Sequence, residues 1–133
     1  MSLSGVLQPE GWPRPSGYSN GVLAHGSQVF IAGQVGWNPH SGGFESEKLV
    51  DQVRQALMNV LAVLAEANGR PEHIARMTWY LTSRAEYIAH LEEIGAAYRD
   101  VMGKHFPAMT AVEVTALVEA RAKVEIEATA VIP

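Results

Sequence analysis

Apolar and polar positions along the chain follow two different periods. From Leu49 to Leu64 the residues Leu49, Val53, Ala56, Leu57, Val60, Leu61 and Leu64 recur at three- and four-residue steps, which predicts an amphipathic helix with one dry stripe. Ser46 stands where an N-cap is expected, and Gly69 followed by Pro71 supplies the stop. From Ile74 to Thr82 the period falls to two, with Met77, Trp79 and Leu81 on an inner face and Arg76, Thr78, Tyr80 and Thr82 on an outer one. A second helix is predicted to open at Ser83, where Ser83 and Glu86 have capping-box spacing. It continues on the stripe Tyr87, Leu91, Ile94, Tyr98 and Val101, and ends at Gly103 before Pro107.

Extended segments flank these elements. Tyr18 to His25 and Gln28 to Gln34, separated by Gly26-Ser27, read as a hairpin. In the last quarter, Val112, Val114 and Ala116 oppose Met109, Glu113 and Thr115, and Val124, Ile126, Ala128, Ala130 and Ile132 oppose Lys123, Glu125, Glu127 and Thr129. The short link Leu117 to Lys123 makes these last two runs natural antiparallel neighbours, sharing a face that carries Glu113, Glu125 and Glu127. Three carboxylates cannot lie unpaired in a closed apolar site, so that face must meet solvent, basic side chains or another subunit. Residues 1–16, with Pro9, Pro13 and Pro15, read as an irregular lead-in, and 17–133 as a single domain. The loop Gly36 to Glu45, holding Trp37, has turn chemistry throughout and can wall a cleft.

The order hairpin, helix, strand, helix, hairpin predicts a two-layer α+β domain with both helices on one face of a single mixed sheet. Strands joined through a helical crossover are expected as parallel neighbours. One layer of helices leaves the other sheet face bare. A closed ring of identical subunits with sheets turned inward is the simplest cover, and it creates clefts between neighbours.

Composition removes several function classes. A length of 133 residues, 47% hydrophobic and 18% charged, suits one folded domain. A net charge of −4 without a basic cluster disfavours nucleic acid as a partner. The absence of cysteine excludes disulfides, thiolate metal sites and a thiol nucleophile. No apolar run approaches the roughly 18–20 residues that cross a bilayer, and the N-terminal stretch is polar and proline-rich, so no membrane partner and a cytoplasmic location are expected. The five histidines fall in no metal-ligand spacing.

Seven segments, taken in order, resemble one known family: Gly17-Tyr18-Ser19, Val29-Phe30-Ile31-Ala32-Gly33-Gln34, Ser41-Gly42-Gly43, Gln55-Ala56-Leu57-Met58-Asn59-Val60, Thr78-Trp79-Tyr80-Leu81-Thr82, Phe106-Pro107-Ala108-Met109-Thr110 and Val124-Glu125-Ile126-Glu127-Ala128. The chain is similar over nearly all its length after about residue 16 to the YjgF/Rid family, also called the endoribonuclease L-PSP or translation-initiation-inhibitor family. The resemblance implies a chorismate-mutase-like fold and a homotrimer with small-molecule sites in the clefts between subunits. It also implies hydrolysis of reactive imines and enamines to a 2-oxo acid and ammonia, without a cofactor.

The arginine that binds the substrate carboxylate in the active branch follows the Pro-Ala of the late turn, where this chain has Met109. Ala32 replaces a common serine, and Val118 stands where proline is common. Tyr18 and Glu125 match the family's cleft-edge tyrosine and water-activating carboxylate. An extra residue in the Leu117 to Lys123 bend leaves open whether Glu125 or Glu127 faces the cleft. The pattern is that of an arginine-less branch.

The candidate site is therefore Glu125 as catalytic carboxylate, with Tyr18, Trp37, Met109 and His105 around the substrate and no metal or cofactor. All but Trp37 have a structural alternative: Glu125 in a surface ion pair with Arg76 or Lys123, Met109 in subunit packing, Tyr18 in edge-strand packing, and His105 in a turn. Three functions remain open. They are a deaminase with a pocket reshaped by Met109, a non-catalytic trimer that binds a metabolite in the same cleft, and an RNA- or translation-directed inhibitor, which the acidic balance disfavours.

Overall fold

A computed structural model describes residues 5–133. Strands β1 (Gly5–Leu7) and β2 (Gly21–Leu23) form a small antiparallel ribbon. The main sheet contains β3 (Ser27–Val35), β4 (Ile74–Leu81), β5 (Ala108–Glu113) and β6 (Val124–Ile132), in the order β3-β6-β4-β5. Helices α1 (Leu49–Ala65), α2 (Arg84–Ala89) and α3 (Leu91–Met102) complete the chain, with a 3-10 turn at Pro71–His73. This is the α+β architecture expected from the pattern.

The core lies between the helices and one face of the sheet. Val53, Ala56, Leu57, Val60 and Leu64 of α1 and Ile94, Tyr98 and Met102 of α3 pack on Met77, Trp79 and Leu81 of β4 and Val124, Ile126, Ala128 and Ala130 of β6. Register explains the selection: Met77 faces Ala128, Trp79 faces Ile126 and Leu81 faces Val124 across the ladder, so alternate residues of both strands share one dry face. The opposite face carries Arg76, Thr78 and Tyr80 beside Thr129, Glu127 and Glu125, with Phe30 of β3 opposite Thr129 and 75% exposed.

Strand neighbours differ from the sequence expectation in two places. The Tyr18 to Gln34 hairpin does not form: β2 pairs with β1, and β3 pairs antiparallel with β6 from Ser27↔Ile132 onward. Gly26 directs this choice, because a Cβ there would overlap the Ile132 carbonyl; only glycine lets the turn approach the end of β6 this closely. Nor do the last two strands pair with each other. The α2–α3 crossover lays β5 parallel on the outer edge of β4, and β6 enters between β3 and β4, where both its edges are hydrogen-bonded. Strands β3 and β4 run in the same direction but are separated by β6, so only β4 and β5 satisfy the expectation of parallel neighbours.

Smaller corrections follow from caps. Lys48, not Ser46, is the N-cap of α1; the Ser46 hydroxyl accepts the Lys48 N–H at 3.0 Å and donates to Asp51 at 2.7 Å. Ser83 does cap α2, accepting from the Glu86 N–H at 3.0 Å, but the Glu86 carboxylate is held by Lys123 at 2.9 Å. The predicted second helix is interrupted at His90. Within the 1–16 stretch expected to be irregular, Gly5–Leu7 is a strand.

Candidate functional site

Position in the sheet decides which candidate residues can meet. In the β4–β5 ladder Met109 faces Met77 and Ala111 faces Trp79, which puts Met109 on the helix-covered side, packed against the core. Tyr18 reaches the same region because Ser19 is tied to the start of β5. The Ser19 N–H donates to the Pro107 carbonyl at 3.0 Å and its hydroxyl to the Phe106 carbonyl at 2.5 Å. Tyr18 and Met109 thus line one cavity of about 940 Å³ between the β5 edge and α2–α3. Its walls are aromatic: Trp79 meets Tyr98 at 6.3 Å between ring centroids, and Tyr98 stacks on Phe106 at 5.7 Å. Burial raises the Tyr98 phenol, whose O–H donates to the His105 carbonyl at 2.5 Å, well above its ordinary pKa. The indole N–H of Trp79 is buried without an acceptor.

Glu125 lies on the other face. It pairs in register with Tyr80 and with Val35, and its carboxylate covers Gly33 so closely that a Cβ there would overlap it. Glu127, two residues on, accepts a hydrogen bond from the Tyr80 hydroxyl, and that bond raises the Tyr80 pKa. Glu127, Arg76 and Phe30 also border a groove of about 310 Å³ on this face. The alternative ion pair of Glu125 with Lys123 is not formed, since Lys123 bonds Glu86. Glu113 leaves the expected acidic face: its register partner is Leu81, and its carboxylate accepts the Arg84 N–H at 2.6 Å, at the start of α2.

Trp37 follows the end of β3, on the loop whose backbone is fixed by Asn59; the Asn59 side-chain amide donates to the Val35 and Trp37 carbonyls at 3.1 and 2.9 Å. His105 turns its Nε2 to the Ile74 carbonyl at 2.7 Å. One chain therefore brings Tyr18 and Met109 together but leaves Glu125, Trp37 and His105 outside their cavity. Sequence reasoning missed the residues that hold this arrangement, Ser19, Gln52 and Asn59, and it missed Arg99 of α3, which lines the cavity. Small polar residues in a loop or on a helix carry no periodic signal of such roles.

Among the described residues no group of three or more His, Asp and Glu side chains is close enough to hold a metal, and no helix is long and apolar enough to cross a membrane.

The family model described as Endoribonuclease L-PSP matches residues 13–132. The chain belongs to that family. Among its relatives in the L-PSP family, a RutC family protein of Aquifex aeolicus is 40% identical over 121 residues, covering 90% of this chain and 92% of the relative. The human 2-iminobutanoate/2-iminopropanoate deaminase is 30% identical over 114 residues, covering 86% of this chain and 79% of the relative. The crystal structure of YyfB from Yersinia pestis, described as a protein of unknown function in the conserved Rid family, superposes with a TM-score of 0.82. It is 33% identical and covers 99% of this chain and all of YyfB.

Proposed function

We propose that this member of the L-PSP family is a cofactor-independent hydrolytic deaminase of a small imine or enamine, working in clefts completed between the copies of a homotrimer. The observation that carries the reading is the division of the site across the sheet. Tyr18 and Met109 occupy a cavity at the β5 edge, while Glu125 waits on the bare face over Gly33. An assembly that carries the bare face of one copy to the β5 edge of the next unites the two halves and covers Phe30. The human relative, a 2-iminobutanoate/2-iminopropanoate deaminase, supports the same class of substrate.

The chemistry needs only water and a carboxylate. An enamine first takes a proton on carbon and gives one up from nitrogen, becoming the imine. Glu125 then removes a proton from water as the oxygen adds to the imine carbon, and the nitrogen takes up a proton. In the collapse of the resulting carbinolamine the proton held by Glu125 passes to nitrogen, the C–N bond breaks and the hydroxyl gives its proton back to the carboxylate, leaving a carbonyl, so 2-imino acid plus water gives 2-oxo acid plus ammonia with no change of redox state. Met109 contributes shape and apolar contact in place of a carboxylate-binding charge. For that reason a second reading stands beside the first: a trimer that binds a metabolite in this cleft without turning it over.

Ammonia release from freshly generated imines tests both. The wild-type chain should exceed the buffer rate, Glu125→Gln should lose at least about 100-fold, and light scattering should give about three times the chain mass of 14.4 kDa. Saturable binding without turnover of any imine favours the second reading, and a lone monomer at assay concentration removes the shared cleft from both.

A further inference from the structure

The cavity beside Met109 lacks a charge from the sheet but not from the helix. Arg99 of α3 lines it, and none of the other lining residues is charged. The Arg99 guanidinium lies back along α3 over Gly95, with Nη1 3.2 Å from where a Cβ on Gly95 would sit, and Gly95 lines the cavity too. Among the described residues Arg99 makes no ion pair; the adjacent Asp100 is occupied by Arg54 at 3.2 Å. A free guanidinium at the rim of a space walled by Trp79, Tyr87, Tyr98 and Phe106 combines one positive charge with flat apolar surface. A volume of about 940 Å³ is generous for a three- or four-carbon acid.

We infer that Arg99 is the carboxylate-binding residue of this cavity, and that the cavity takes acids bearing a large aromatic side chain. The guanidinium fork receives the carboxylate bidentately, and the ring enters between Tyr87, Phe106 and Met109. As an account of substrate this rests on the deaminase reading, with aromatic 2-imino acids as the class; as an account of binding it does not.

The probes are 3-phenylpropanoate, its neutral amide and propanoate, titrated by calorimetry against the full-length protein, with circular dichroism and light scattering to verify the fold and assembly of each variant. The wild type should bind 3-phenylpropanoate at least about tenfold tighter than either other probe, Arg99→Gln should lose about tenfold or more for the acid alone, and Arg99→Lys should recover part of it. Equal affinity of wild type and Arg99→Gln for the acid, or of wild type for acid and amide, overturns the assignment. Propanoate binding as tightly as 3-phenylpropanoate overturns the aromatic preference. Arg99-dependent binding without hydrolysis of any imine refutes the deaminase reading and leaves this one intact, whereas Glu125-dependent hydrolysis that Arg99→Gln leaves unchanged does the reverse.

Discussion

The two faces of the main sheet are made by the same strands, yet only one is covered by helices. On the helix side, Met77, Trp79, Leu81, Val124 and Ile126 are buried against α1 and α3. On the bare side the alternate positions hold Arg76, Tyr80, Glu125 and Glu127 around an exposed Phe30, and the bond from Tyr80 to Glu127 satisfies only part of that polarity. The closed face accounts for why the chain folds, and the bare face leaves polar groups and Phe30 open to solvent. Under the proposed function the chemistry belongs to the meeting of the two, with the β5 edge of one copy receiving the bare face of another.

The largest effect should come from breaking the closed face. Trp79→Ala removes a side chain that is 1% exposed and contacts both Tyr87 and Tyr98, and should cost about 3–5 kcal/mol by chemical denaturation. Thr129→Ala, on the bare side of β6, should stay within about 0.5 kcal/mol. Similar losses for the two would mean that the faces are not energetically distinct.

A smaller loss is expected at Gln52, a polar residue buried on the closed side. Gln52 is 1% exposed; its amide donates to the Ser46 and Arg121 carbonyls at 3.1 and 3.2 Å and accepts the Lys123 N–H at 2.8 Å. It pins the loop before α1 and the bend before β6 to the helix. Gln52→Leu leaves those backbone groups without partners and should cost on the order of 2 kcal/mol. Hydrogen exchange should quicken at Lys123, next to Val124 and Glu125, and remain unchanged in β4; uniform protection throughout would show that the pin is not local.

How much of this could be read in advance differs between faces and pairings. Period-two alternation assigned Met77, Trp79 and Leu81 to the dry side and Glu125 and Glu127 to the wet one, because burial constrains every second residue. The same alternation cannot say which strand lies beside which. Strand β6 has two edges to offer, and the short Leu117 to Lys123 link reads as a hairpin with β5, whereas β6 pairs with β3 and β4 instead. The break at His90 leaves no mark in the pattern, since the apolar stripe Tyr87, Leu91, Ile94 and Tyr98 runs across it without interruption. Tyr18 and Met109 were singled out through family resemblance. Arg99 was invisible because a charged residue on an exposed helix turn reads as solvated until the fold brings β5 opposite it.

The finest test compares a tyrosine on each side of the sheet. Tyr98 is 5% exposed, and burial raises its pKa, whereas the Tyr80 pKa is raised chiefly by its bond to Glu127 on the open surface. The unfolded chain releases a phenol proton near pH 10. Below that pH both states keep the Tyr98 proton, and its contribution to stability is complete and constant. Above it the unfolded chain binds fewer protons than the folded one, so stability falls as pH climbs toward the raised folded-state value. Tyr98→Phe loses the hydrogen bond to the His105 carbonyl, about 1 kcal/mol near neutrality, but should flatten the decline in denaturation midpoint above pH 10. Tyr80→Phe should leave that decline largely in place, because solvent screens the group on the bare face. If Tyr80→Phe flattened the alkaline limb as much as Tyr98→Phe, the Tyr80–Glu127 bond would have to be shielded from solvent more than one chain shields it, as a second copy seated on the bare face would do. Repeating the titration at protein concentrations on either side of dissociation would then turn the pH profile into a direct readout of assembly.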